Sequence, residues 1–135
     1  REQDPTATPT LMATVPQVRM TRRIVGVATP DDTPHLTVPT SIGMCGDWRR
    51  RGPLYELPFE CLYGRAIRNL ITAGRNISVT DAMWDITRVI PVCAVTGQAA
   101  GTAAAMGQDF ASIDVAVLQT QLRADGVRLH CDEVL

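Results

Sequence analysis

The chain has 135 residues, 45% of them apolar and 20% charged, with a formal net charge of −1. That length suits one domain, or part of one, with a real core, and the near-neutral balance leaves no electrostatic footprint for nucleic acid or an anionic membrane. All thirteen cations are arginine, which removes Schiff-base chemistry and a P-loop lysine from consideration.

Residues 1–16 hold three prolines and four threonines and read as a flexible arm or linker. Residues 17–63 read as strands and turns. Val18, Met20, Arg22, Ile24, Val25 and Val27 predict a strand with partial alternation, ended by Thr29-Pro30-Asp31-Asp32. A second strand is expected over Leu36 to Met44, with Pro39 marking an edge or an interruption. Arg49-Arg50-Arg51-Gly52-Pro53 is a turn or loop, after which Tyr55 to Phe59 is extended again.

Residues 64–135 change character. Asn69 to Ala73 is a short apolar run of the kind that forms a buried parallel strand, ended by Gly74. Ser78 or Thr80 can cap a helix starting near Asp81, and Pro91 can open a second that runs to about Met106 and stops at Gly107. Ser112 is placed to cap a third, with Asp114 in its first turn, Val115, Leu118 and Leu122 on one face, and Gly126 after its end. Val127 to His130 can add a short strand. The small-apolar stretch 89–106 is interrupted by Thr96, Gln98 and Thr102, which makes a poor membrane span.

Cys45, Cys61, Cys93 and Cys131 form no CxxC pair, so a zinc knuckle and a thioredoxin-type motif are excluded. Scattered thiols of this kind are expected to be buried and reduced in a cytoplasmic protein. His35 and His130 sit in no metal-ligand spacing, and no GxSxG elbow is present for an acyl-transfer serine. Asp132 and Glu133 stand at the extreme C-terminus, where order is doubtful. Residues 17–63 show no persuasive acid–base pair, so substrate and catalytic group are not assigned.

The informative segment is Val95 to Ala105. Gly97 and Gly101, four apart, share one face of a helix, with Ala94, Ala104 and Ala105 widening it. Bare backbone of this kind lets a helix, a strand or a planar cofactor approach closely. Near a helix N-terminus an anionic partner is favoured.

The runs NLITAGRNIS and TRVIPVCAVTGQAAGTAAA resemble the C-terminal signature of the FAD-dependent oxidoreductase family with a dinucleotide-binding fold. In looser form, Arg19 to Gly26 looks like that family's R-x-T-R-R-I-x-G strand. Ser41-Ile42-Gly43 and Tyr55-Glu56-Leu57-Pro58 look like its S-I-G and Y-E-[IL]-P segments, and Asp114 to Leu129 like its closing helix and strand. The likeness covers about residues 17–130.

It implies an α/β fold, mixed α+β in this chain, with 17–63 from a cap or substrate domain and 64–135 completing a Rossmann-like FAD-binding domain. FAD is the implied cofactor and a small molecule the implied substrate. Gly74, Arg75 and Asn76 would lie near its pyrophosphate or ribityl chain, and Arg75 could pair with phosphate. Gly97, Gln98 and Ala99 would present their amides to the pyrimidine end of the flavin, with Gly101 on the same cofactor-binding helix. Arg88 is a candidate for flavin or substrate contact, or else pairs with Asp81, Asp85 or solvent. The chain contains no GxGxxG, the fingerprint that supplies the main pyrophosphate contacts in such proteins. The chain is therefore expected to be the C-terminal fragment of a longer polypeptide, inactive alone, with weak FAD affinity and a tendency to self-associate. The alternative is a non-enzymatic α/β interaction module that uses the Gly/Ala helix for packing.

Overall fold

The computed structural model describes Thr6, Arg19 and residues 22–134. The expected arm over residues 1–16 lies outside the described residues except for Thr6, as do Val18 and Met20 of the expected first strand.

Two antiparallel strands, β1 (Ser41–Gly46) and β2 (Leu54–Pro58), are followed by helices α1 (Asp81–Thr87), α2 (Ile90–Met106) and α3 (Val115–Ala124). This is a mixed α+β arrangement, as the sequence implied. The strands pair Met44 with Glu56, Cys45 with Tyr55 and Gly46 with Leu54. A bulge between Ser41 and Met44 then brings Ser41 opposite Pro58. The bulge bends β1 where α2 crosses it. Pro39 is an interruption: the ladder begins only at Ser41, two residues beyond it.

Local chemistry sets the helix ends. The Thr80 side chain accepts from the Met83 amide at 3.3 Å and opens α1. Pro91 stands in the first turn of α2, where its missing N–H is no loss, and Gly107 closes that helix. Asp114, not Ser112, caps α3, accepting from the amides of Ala116 at 2.9 Å and Val117 at 3.3 Å. Ser112 belongs to a separate 3-10 turn, Phe110–Ser112, and the extended Ile113 lies between.

Two expected strands do not form, and the described part of a third carries no strand. Residues 69–73 make one isolated antiparallel bridge, Ile71 to Tyr63, with Leu70 42% exposed. A parallel strand needs a parallel neighbour, and the described residues supply none. Between Arg22 and Pro30 the chain is irregular, because the amides of Ile24, Val27 and Ala28 bond to Asn76, Tyr63 and Glu60 rather than to one partner strand. Residues 127–130 run beside β1 without a ladder. Ser41 Oγ donates to the Leu129 carbonyl at 2.6 Å in its place.

One core serves both halves of the chain. Ile42, Leu57, Phe59 and Leu62 pack with Ile77, Val79, Met83 and Ile86, then with Val92, Ala99 and Ala103 of α2 and Leu118 and Leu122 of α3. Each large aliphatic side chain fully buried here contributes about 1.5–3 kcal/mol of transfer free energy. Alanines on the buried stripe of α2 let β1 and α3 approach that helix from two sides.

Candidate cofactor-facing surface

The turn after residue 73 docks on the first two turns of α2. Gly74–Asn76 is a single 3-10 turn, and Gly74 has φ +68, in the left-handed region that favours glycine. Its amide donates to Thr96 Oγ1 at 2.9 Å, and a Cβ built there would lie 3.6 Å from Cys93 Sγ. Arg75 is exposed. Its Nε donates to the Arg88 carbonyl at 3.2 Å, which uses one of its five N–H groups. Asn76 is exposed too, with its carbonyl tied to the Ile24 amide at 2.9 Å. The structure thus brings Gly74, Arg75, Arg88 and the α2 N-terminal turns together, from segments far apart in sequence.

Arg88 is held in place. Its Nε donates to Asp85 Oδ1 at 2.9 Å, the Asp85 pairing foreseen as one alternative. Its guanidinium lies 5.5 Å from the ring centroids of both Trp48 and Trp84. Trp48 Nε1 donates to the Asp85 carbonyl at 2.8 Å, so the loop after β1 is latched onto α1. Asp47 anchors the base of that loop. Its buried carboxylate receives Arg49 through Nε at 2.8 Å and Nη2 at 3.0 Å, and Arg50 through Nε at 3.2 Å. The Arg49 hydrogen bonds, opposed by burial, hold the Asp47 carboxyl down at about 2. The three arginines read from sequence as a plain loop therefore include two that fold it.

Along α2 the residues sort by angle, about 100° per residue. Val92, Thr96, Ala99 and Ala103 face the core, and Ala99 is fully buried. Opposite them Ala94, Gly97, Gln98, Gly101, Ala104 and Ala105 are all exposed. A Cβ added at Gly97 or Gly101 would meet nothing within 4 Å. Gly97 is the eighth residue of α2, so its amide and those of Gln98 and Ala99 are spent on helical bonds. Free amides belong to Ile90 and Val92, in a first turn that has no side-chain cap and no acidic residue. Ile90 is 79% exposed there. Beside this turn a cleft of about 290 Å³ is walled by Met44, Cys45, Trp48, Pro91 and Val95.

These features fit part of an FAD site. An uncapped helix start favours an electron-rich ring edge, a bare face admits a planar group, and an arginine on a glycine turn suits a phosphate. The Gly97–Ala99 amides lie inside the helix and Ala99 faces the core, so what α2 leaves open here is the backbone surface at Gly97 and Gly101.

The cysteines are free thiols, three buried and Cys93 half-buried. Burial pushes Cys45 up to about 12, with Cys131 and Asp47 adding to the rise. Burial likewise raises Cys61, so neither is a poised nucleophile.

Sequence reasoning missed one buried polar group. Glu56, in β2, accepts from the Val38 amide at 2.8 Å and the Cys131 amide at 2.9 Å, and lies 2.9 Å from His130 Nδ1. Its side chain is only 2% exposed. Position 56 is the inward-facing acid of an otherwise apolar strand, and that was the available signal. The doubtful C-terminal order gives way to Cys131–Glu133, a 3-10 turn held by this carboxylate.

Among the described residues no single helix is long and apolar enough to cross a membrane. Residues 35–122 match the family model described as FAD dependent oxidoreductase. No curated protein and no solved structure matches the chain.

Proposed function

The chain belongs to the FAD-dependent oxidoreductase family, and from that premise we propose that it forms the flavin-ring side of an FAD site in a cytoplasmic redox enzyme. The rest of the site comes from a GxGxxG-bearing region of the same polypeptide. The observation that carries this reading is the bare outer face of α2, continuous with an uncapped N-terminal turn and flanked by Arg75 and Arg88. FAD, when bound, accepts the electrons of an organic substrate. The Ile90 and Val92 amides stabilise negative charge at the ring edge. Gly97, Gln98 and Gly101 would border the flavin ring, and Gly74, Arg75 and Asn76 would hold the phosphate or ribityl part. Arg88, fixed by Asp85 and two indoles, gives a rigid positive wall.

The second reading, a packing module, draws on the same open face, since a helix fits there as well as a flavin. FAD fluorescence titration separates the two. The 135-residue chain alone is expected to bind FAD negligibly, while the polypeptide with its upstream fingerprint purifies yellow. Gly97→Ala and Gly101→Ala are each expected to stabilise the isolated chain by about 0.5–1 kcal/mol, because helix propensity improves and no neighbour is struck. Gly97→Leu in the longer polypeptide is expected to lower FAD affinity roughly tenfold or more through overpacking. A colourless, folded polypeptide, or full flavin occupancy in Gly97→Leu, would sink the flavin reading. The same bare face is expected to drive self-association of the isolated chain, seen as a concentration-dependent sedimentation coefficient.

A further inference from the structure

A second open surface adjoins the Gly74–Asn76 turn. Residues 22–28 lie against residues 60–63 and 76. The Ile24 amide donates to the Asn76 carbonyl at 2.9 Å, the Val27 amide to the Tyr63 carbonyl at 3.0 Å and the Ala28 amide to the Glu60 carbonyl at 3.2 Å. At Gly64 the two segments meet backbone to backbone, since a Cβ there would stand 2.8 Å from the Val25 carbonyl oxygen. Over that contact lies a cleft of about 150 Å³ lined by Ile24, Val25, Gly64, Ala66, Ile67 and Leu70. Val25 is 84% exposed and Ile67 55%. A single exposed apolar side chain needs no explanation, but three around one cleft, Leu70 included, form a patch. Charge marks the same place. Residues 22–30 and 61–80 hold five arginines and no acid. Arg68 pairs with Asp109, Arg75 donates to the Arg88 carbonyl, and the Glu60 carboxylate is bound to Thr40. Arg22, Arg23 and Arg65 are exposed, and among the described residues no carboxylate pairs with them.

Apolar groups open to water, beside cations that no acid neutralises, fit a partner that brings both apolar side chains and carboxylates. Position narrows the choice. The flavin reading sets the FAD phosphates at Gly74, Arg75 and Asn76, so the region holding the rest of the dinucleotide stands next to that turn. The Ile24–Asn76 bond makes the patch continuous with it. We propose that the patch is the docking surface for the GxGxxG-bearing region of the same polypeptide, which seats an apolar side chain in the cleft and sets carboxylates against Arg22, Arg23 and Arg65. Docking here rests on the reading of the chain as part of a longer flavin-binding polypeptide, and it fixes where the two regions meet and by which chemistry.

The test compares phenylglyoxal modification of the arginines, read by mass spectrometry, in the longer polypeptide and in the 135-residue chain diluted until it sediments as a monomer. Arg51, exposed in its loop, is the internal standard. Relative to Arg51, Arg22, Arg23 and Arg65 are expected to react roughly tenfold more slowly in the longer polypeptide, because a covered guanidinium reacts only when the interface opens. Val25 and Ile67 are exposed in the isolated chain, so Val25→Asp/Ile67→Asp is expected to leave its urea midpoint unchanged. In the longer polypeptide the same double variant should return the three arginines to the isolated-chain rate. Equal rates in the two wild-type proteins, or protection that the double variant keeps, overturns the proposal. So does protection that appears only with phosphatidylglycerol vesicles, or only with rising concentration of the isolated chain. Flavin absorbance of the same samples separates the two readings. Unprotected arginines in a yellow polypeptide overturn the docking surface alone, and protected arginines in a colourless one overturn the flavin reading alone.

Discussion

Gly43→Ala is expected to lower the stability of the chain by about 3 kcal/mol. Two costs combine. Gly43 sits in the bulge of β1 with φ +144, where an L side chain is strained by about 1–3 kcal/mol. An added Cβ would also stand 2.5 Å from Val95 Cγ1 of α2. The struck methyl belongs to Val95, a half-buried β-branched side chain with little χ1 freedom on a helix, so relief shifts that side chain or parts β1 from α2, at about 1–3 kcal/mol for overpacking. Urea unfolding of the variant reads the loss as a lower midpoint with an unchanged slope. A partial rescue is expected in Gly43→Ala/Val95→Ala, since the second change removes the struck methyl and leaves only the backbone strain. Equal stability of wild type and Gly43→Ala would mean that β1 and α2 do not meet as described.

Glu56→Ala is expected to cost a similar amount, about 3 kcal/mol, because it leaves the amides of Val38 and Cys131 and the His130 ring without their buried acceptor. The same carboxylate makes stability depend on pH. Burial by itself would raise its pKa, but the Val38 and Cys131 amides and His130 outweigh that, and the pKa lies below its usual 4.5. A depressed carboxylate stabilises the fold fully above its unfolded pKa and loses that contribution as pH falls through the folded value. Wild type is therefore expected to lose stability below about pH 4.5. Glu56→Gln, already weakened at neutral pH, should show a flatter profile, so that the gap between the two narrows on acidification. A gap that stays constant from pH 7 to pH 3 would show that Glu56 does not titrate in this environment.

Much of the fold was legible in the sequence wherever the cause is local. Thr80, Pro91, Gly107 and Gly126 bracket helices because a cap, a missing N–H or a left-handed turn acts within a few residues. The Pro39 interruption and the turn over residues 49–53 follow from the same short-range chemistry. The family, too, was carried by contiguous motifs, and the match over residues 35–122 supports it. Ser112 misled because two capping residues stand two apart, and only the extended Ile113 decides for Asp114.

What only the tertiary structure decided depends on partners distant along the chain. Apolar content alone made 69–73 and 127–130 look like strands, yet a strand exists only where a second one offers a ladder, and the described residues offer none for either. Residues 49 and 50 read as part of a turn or loop, and only the fold buries Asp47 beneath them and brings Asp85 of α1 to Arg49. The amides at Gly97 to Ala99 were set against the flavin by the family resemblance, although a helix opening near Pro91 already spends them on its own bonds. The start of α2 at Ile90 moved the free amides seven residues upstream. Glu56 and His130, 74 positions apart, are joined by no periodicity that a sequence can display. By itself the sequence determined which helices form and to which family the chain belongs, because propensity, caps and motifs act at short range. Packing decided which amides are left for a ligand, because a hydrogen bond is settled only when both of its partners are in place.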